Sequence, residues 1–256
     1  MVQIAPATVA ALYRHPVKGF TPEPLERAML SAGRAFPGDR LRAVEVGPSG
    51  FDPAAPAHIS KMRFTVLARL PEIARVVTRW DEPTDTLHVS APDAPDLVVR
   101  LGDPEDDRRL EAWLTDFLGE EATAPLRLLD GAGHRFMDHP LGDVSVLNLS
   151  SVRDLEARIG EAIDLLRFRA NVWVEGWPAW VENDWTGREV VVGGARLKVV
   201  KPIVRCVATH VDPQTGTRDI DVLSALDEHY GHRWCGLYLS VEASGALAVG
   251  DRVELI

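Results

Sequence analysis

The sequence predicts a mostly β (α+β) fold, arranged as two β-barrel-like domains with a few short helices. Three observations carry the prediction. Many short β-type runs are separated by Gly, Pro and Asp turn signals, one amphipathic helix is strongly marked near the middle, and no run of about 18 apolar residues could span a bilayer. At 256 residues the chain is long enough for one large or two modest domains.

Val9–Arg14 reads as a strand ending at His15-Pro16-Val17-Lys18-Gly19, where Pro16 and Gly19 break the ladder. Gly38-Asp39-Arg40 opens a second strand, Leu41–Val46, and the Pro- and Ala-rich loop Gly47–Ala57 follows. Arg75–Trp80, Thr86–Ser90 and Leu97–Leu101 continue the strand pattern. Asp103-Pro104-Glu105-Asp106 is a helix start, with a capping Asp, Pro at the first helical position and acids in the first turn. Leu110, Trp113, Leu114, Phe117 and Leu118 then make one buried stripe, and Gly119 stops it.

Leu126–Leu129 and Val144–Leu147 read as strands around a Gly/His-rich loop. Ser151-x-x-Asp154 has capping-box spacing, with Asp in place of the usual Glu or Gln, and Val152, Leu155 and Ile159 supply the face of a short helix. Val172–Glu175, Glu189–Val192, Leu197–Val200 and Cys206–Val211 are expected strands, Val222–His229 a helix, and Leu237–Val241 and Arg252–Leu255 the closing strands. The expected organisation is an N-terminal barrel over residues 1–102, a linking helix over 103–124 and a second domain over 125–256.

Composition narrows the function. A net charge of −10 argues against a general nucleic-acid binder, while leaving room for a local basic pocket. Two cysteines make no disulfide framework, and the N-terminus lacks a basic n-region, so a mature cytoplasmic protein is expected. His134 and His139, or His229 and His232, have no Cys pair or acidic partner at zinc spacing. Gly131-Ala132-Gly133 begins like a dinucleotide fingerprint but lacks its third glycine, and no P-loop is present.

The chemistry concentrates at Arg205-Cys206. A cysteine beside a guanidinium is a candidate ligand or nucleophile, and soft thiolates suit d-block metals. Asp212-Pro213-Gln214-Thr215-Gly216 reads as a tight turn, with Asp212 a turn former rather than an acid. Cys235 has no such neighbourhood and is expected in the core.

Arg205-Cys206-x-x-Thr209-x-Val211-Asp212-Pro213-x-Thr215-Gly216 resembles the core signature of the MOSC-domain family. Tyr13-x-x-Pro16-Val17-Lys18 resembles the opening of the β-barrel domain that precedes it in one branch, and Arg167-Phe168-Arg169-Ala170-Asn171 that branch's Phe-Arg-Pro-Asn motif. Asp184-x-x-Gly187, Gly193-Gly194, Leu197, Tyr238 and Gly250-Asp251-x-Val253 extend the resemblance over nearly the whole chain, near the amidoxime-reducing proteins.

The resemblance implies a molybdenum–molybdopterin (Moco) oxidoreductase acting on N-hydroxylated or N-oxide-type small molecules. Electrons would come from a separate redox protein, since no ferredoxin-like extension follows Ile256. It implies Cys206 as catalytic residue and molybdenum ligand. It also implies Lys18, Arg40, Asn148, Arg169, Arg205 and Tyr238 as cofactor contacts. Gly19 stands where the family has Ser, Ala170 replaces a proline, and His210 replaces a threonine. The alternatives are a sulfur-carrier or cofactor-handling protein using a Cys206 persulfide, and a non-catalytic binding module.

Overall fold

The computed structural model describes residues 5–140 and 143–256, so the first four residues, part of the stretch read above as a mature N-terminus, lie outside the described residues. The strands in chain order are β1 (Ala7–Arg14), β2 (Glu23–Leu25), β3 (Arg27–Leu30), β4 (Arg42–Val46), β5 (Val77–Asp81), β6 (Thr86–Ser90) and β7 (Leu97–Arg100). Helix α1 (Pro104–Leu118) follows, then β8 (Leu126–Asp130), β9 (Val144–Asn148), α2 (Leu149–Ile159), β10 (Val172–Glu175), β11 (Glu189–Val192) and β12 (Ala195–Val204). The chain ends with α3 (Val222–Tyr230), β13 (Trp234–Ala243), β14 (Gly245–Ala248) and β15 (Arg252–Leu255).

The mostly β expectation holds. Strands β1, β10, β9, β13, β12, β11 and β15 pair in that order and close on β1, with β2 added beside β1. Among the described residues, only β9 and β10 run parallel within this barrel. Inward residues such as Val9, Leu12, Val174, Val190, Leu197, Val199, Leu237 and Val253 alternate with outward ones and fill the barrel. Closure removes the open sheet edges that such a core would otherwise expose.

A second core lies between the β5–β6–β7 sheet, the β4–β8 pair and α1, which contributes Leu110, Trp113, Leu114 and Leu118. Asp103 caps α1 by accepting from the amides of Glu105 and Asp106, as its sequence foretold. Helices α2 and α3 cover a third cluster that includes Leu155, Leu226 and the fully buried Cys235. Early strands reach across residue 102: β1 belongs to the closed barrel, β2 pairs beside it, and β3 pairs with β14.

Two local expectations fail for identifiable reasons. Helix α2 starts at Leu149, because Asn148 caps it by accepting from the Ser150 amide, leaving Ser151 inside the helix. Cys206–Val211 is not a strand. After an extended Cys206, residues Val207–His210 form a 3-10 turn in which the Thr209 amide and hydroxyl both donate to the Cys206 oxygen, at 3.0 and 2.9 Å. That local competition defeats the β-branched run. Strand β12 in turn runs past Val200 to Val204, carrying Pro202 between two irregularities in its pairing with β13. No helix of the described residues is long and apolar enough to cross a membrane.

Candidate functional site

Strand β12 delivers Cys206 to the rim of the barrel, and the turn that follows is held rigidly. Asp212 Oδ1 accepts from the amides of Gln214 (2.9 Å) and Thr215 (2.7 Å), and Gly216 supplies the positive φ of 73° that closes the turn. Arg167, buried at 3% exposure, donates to the His210 oxygen (2.9 Å), to both oxygens of Asp219 (2.7 and 2.8 Å) and to Asp212 (3.2 Å). One guanidinium therefore anchors the loop that carries the cysteine.

Cys206 opens into a cavity of about 180 Å³ whose wall comes from both halves of the chain. Six of the seven residues expected at the site line it: Lys18, Arg40, Arg169, Arg205, Cys206 and Tyr238. Lys18, buried just beyond β1, donates to the Phe136 oxygen (2.8 Å) and pairs with Asp138. Arg40 pairs with Asp39 and donates to the Arg169 oxygen (3.3 Å), while Arg169 donates to the Phe20 oxygen (2.8 Å). Arg205 donates to the oxygens of Cys235 (2.7 Å) and Phe168 (2.8 Å) and lies over the Phe168 ring, 5.1 Å from its centroid. Its Nη2 is buried without a partner.

Asn148 is the exception. Besides capping α2, it donates through Nδ2 to the Pro178 oxygen (2.9 Å) and to Glu182 (2.8 Å), and it does not line the cavity. The resemblance placed it among the cofactor contacts; in the structure its hydrogen bonds serve the helix end and Glu182. Gly19 shows why the family serine is missing here. At φ 89°, a Cβ would lie 2.1 Å from the Thr65 backbone oxygen, so no side chain fits without moving that segment.

Several residues at the cavity carry no sequence signal. Lys61, from a short 3-10 turn after the Pro-rich loop, places Nζ 3.0 Å from Cys206 Sγ and 3.7 Å from Asp138. His139 stacks on Tyr238 with centroids 5.5 Å apart, and Lys201 Nζ lies 3.5 Å from His139 Nε2. Arg167 could have been picked out from its motif; Lys61, Asp138 and Lys201 sit in no pattern that separates them from surface charges.

The electrostatic balance is lopsided. Among the described residues, seven cations line the cavity against one carboxylate, Asp138, with Asp39 behind Arg40 and Asp212 and Asp219 behind Arg167 offsetting part of the excess. Burial pulls the Lys18 ammonium below its ordinary range, with Asp138 opposing the shift. Burial and then the neighbouring Arg40 lower Arg169 to about 10. Burial pushes Asp138 up, but Lys18, Lys61 and Arg40 outweigh it and hold the carboxylate well below its usual range. In a chain of net charge −10, this concentration of cations favours an anionic ligand at this one place.

Residues 6–125 match the family model described as the MOSC N-terminal beta barrel domain, and residues 133–254 match the MOSC domain. Over 124 residues the chain is 33% identical to mitochondrial amidoxime reducing component 2 of Bos taurus, an alignment covering 43% of this chain and 36% of that protein. It is 31% identical over 121 residues to the molybdenum cofactor sulfurase of Caenorhabditis elegans, covering 46% of this chain and 16% of that protein. The chain thus spans only part of the length of the curated relatives it matches. Among solved structures, the YuaD protein of Bacillus subtilis aligns over 98% of this chain and 96% of its own, with a TM-score of 0.47 and 15% identity.

Proposed function

The chain belongs to the MOSC-domain family, and from that premise we propose that it is a molybdenum–pterin-dependent oxidoreductase. Its substrates are N-hydroxylated or N-oxide-type small molecules, and its electrons come from a separate redox protein. The observation that carries this reading is the meeting of one half-buried sulfur with cations from both halves of the chain in a single cavity.

The residues fit the group. Cys206 offers a soft sulfur ligand, and ligation by sulfur suits molybdenum better than an all-oxygen set would. Lys18, Arg40 and Arg169 supply fixed positive charge for a phosphate and the polar edge of a pterin. The unpartnered Nη2 of Arg205 is a buried donor that an acceptor on the cofactor would satisfy. Tyr238, braced by His139, offers a flat face at the same wall. Asn148 has no part in this.

When bound, the cofactor supplies the two-electron redox chemistry that breaks the nitrogen–oxygen bond. The balance is R–NHOH plus two electrons and two protons, giving R–NH2 and water. The chain's own share is positioning: Arg167 fixes the Cys206 loop, Lys61 holds the sulfur from the opposite wall, and the cations orient the anionic group. Two free cysteines fit a reducing compartment, and we place the protein in the cytoplasm.

Cys206→Ala and Cys206→Ser test the reading. Each should abolish reduction of an N-hydroxylated compound while leaving the circular dichroism spectrum and thermal midpoint unchanged, and full activity in either would exclude the ligand role. A second reading is a sulfur carrier in which Cys206 holds a persulfide; the Lys61 ammonium at 3.0 Å would steady its terminal sulfur. Molybdenum and pterin in the purified protein support the reductase, and a labile extra sulfur on Cys206 without metal supports the carrier.

A further inference from the structure

We infer that Lys61 and Cys206 are a modification site: when peroxide oxidises the sulfur, the two side chains join in a covalent nitrogen–sulfur link that small thiols undo. The inference goes beyond the reductase reading and does not depend on it.

Two fixed segments bring the pair together. Lys61 opens the 3-10 turn Lys61–Arg63, in which the Met62 amide donates to the Ser60 hydroxyl (3.4 Å). The turn ends at Phe64, which is buried and bridged to Glu45. From this base Lys61 Nζ donates to Cys206 Sγ at 3.0 Å, with Asp138 on its other side at 3.7 Å. Across the cavity, Thr209 holds the Cys206 backbone and Arg167 holds the loop beyond it. Nitrogen and sulfur are already in contact, so joining them costs little further ordering.

The sulfur is open to attack and has one reaction partner at hand. Cys206 is half-buried and faces a cavity lined by cations, the setting in which peroxide takes a cysteine to its sulfenic acid. Cys235 makes no resolving thiol, because it is fully buried in the cluster under α2 and α3. The Lys61 nitrogen takes that part.

The steps balance. Hydrogen peroxide oxidises the Cys206 thiol to Cys–SOH and is itself reduced to water. Lys61 gives its ammonium proton to solvent, and its nitrogen then attacks the sulfur. An S–N bond replaces the S–O bond, and the hydroxyl leaves with one amine proton as a second water. Two equivalents of a small thiol return the free thiol and amine and become a disulfide. The link stops the sulfur short of sulfinic acid, from which thiols do not recover it.

The test uses the full chain made in a host unable to synthesise molybdopterin, so that the sulfur carries no metal. It is exposed to hydrogen peroxide at neutral pH, checked for fold by circular dichroism, and digested without reductant for mass spectrometry. The peptides carrying Lys61 and Cys206 should appear joined, two hydrogens lighter than their sum, and dithiothreitol should part them. Lys61→Arg keeps the charge and loses the amine. In it the link should be absent, and sulfinic and sulfonic acid at Cys206 should rise at least about fivefold. The inference is overturned if the folded parent chain yields no joined pair, or if Cys206 reaches sulfinic acid equally fast in the parent and in Lys61→Arg. A Cys206–Cys235 disulfide in place of the link overturns it too. None of these outcomes bears on the reduction of N-hydroxylated compounds, which the Cys206 variants test separately.

Discussion

The Arg40 guanidinium donates to the backbone oxygen of Arg169, and both residues hold left-handed backbones, with φ of 48° and 51°. This region is unfavourable for L-residues and persists where the surroundings over-determine it, often at functional sites. The two cavity arginines are thus aimed by strained backbone. Arg40→Gly should be more stable than Arg40→Ala by about 1 kcal/mol in urea denaturation, since both lose the charge but only glycine relieves the φ. Equal stabilities would mean that the backbone at Arg40 stores no strain.

Among the described residues Asp138 is the one carboxylate lining the cavity, and it shields Lys18 and Lys61 from each other. Asp138→Asn should lose about 1 kcal/mol of stability, because a buried ammonium loses a counter-charge that is itself 40% exposed and partly screened. Added inorganic phosphate should then raise the thermal midpoint of the variant more than that of the parent chain. A smaller phosphate effect in the variant would show that the cations do not act as an anion subsite.

Acid should weaken the fold well above the usual carboxylate range. His15 is fully buried, its Nδ1 lies 3.0 Å from Asp39, and its Nε2 has no partner among the described residues. With Nδ1–H facing a carboxylate the ring is neutral, and burial followed by the Arg40 charge lowers its pKa to about 3. A base with a lowered folded pKa binds its proton in the unfolded chain first. Its contribution is therefore intact above about 6.5 and lost as pH falls towards 3, with a slope approaching 1.4 kcal/mol per pH unit. His15→Asn, which keeps an N–H for Asp39 but cannot titrate, should flatten the change in unfolding free energy between pH 7 and 5. An unchanged slope would rule His15 out as its source.

Restoring the family's serine should harm this chain. Gly19→Ser drives a Cβ into the Thr65 backbone and puts a side chain at φ 89°. A loss of at least about 2 kcal/mol is expected on chemical denaturation. A neutral result would mean that the Thr65 segment yields easily, and that Ser was lost here for another reason.

Much of the barrel was legible because alternation and turn residues encode it. Thr86–Ser90, Val172–Glu175, Glu189–Val192 and Arg252–Leu255 fall where the pattern put them. The short β2, β3 and β14 escaped because Glu23–Leu25, Arg27–Leu30 and Gly245–Ala248 contain no β-branched residue to mark them as strands. The Cys206 turn escaped because Thr209 closes it through side-chain and amide bonds that propensity does not count. At the site, the motif residues Lys18, Arg40, Arg169, Arg205, Cys206 and Tyr238 meet at one cavity, and Asn148 lies apart from it. Lys61 was invisible, since its meeting with Cys206 spans 145 positions of sequence and depends on the fold alone.

Closing the barrel has a cost during synthesis. Strand β1 takes one edge partner from β10 and shares its other edge between β2 and the much later β15, where Ala7 lies opposite Val253. Until β15 is made, the start of β1 carries an open hydrogen-bonding edge above an apolar inner face, a state that invites mispairing between nascent chains. Holding that strand apart would fall to a chaperone or to fast translation, and a slow codon placed just before β15 would lower the yield of soluble protein.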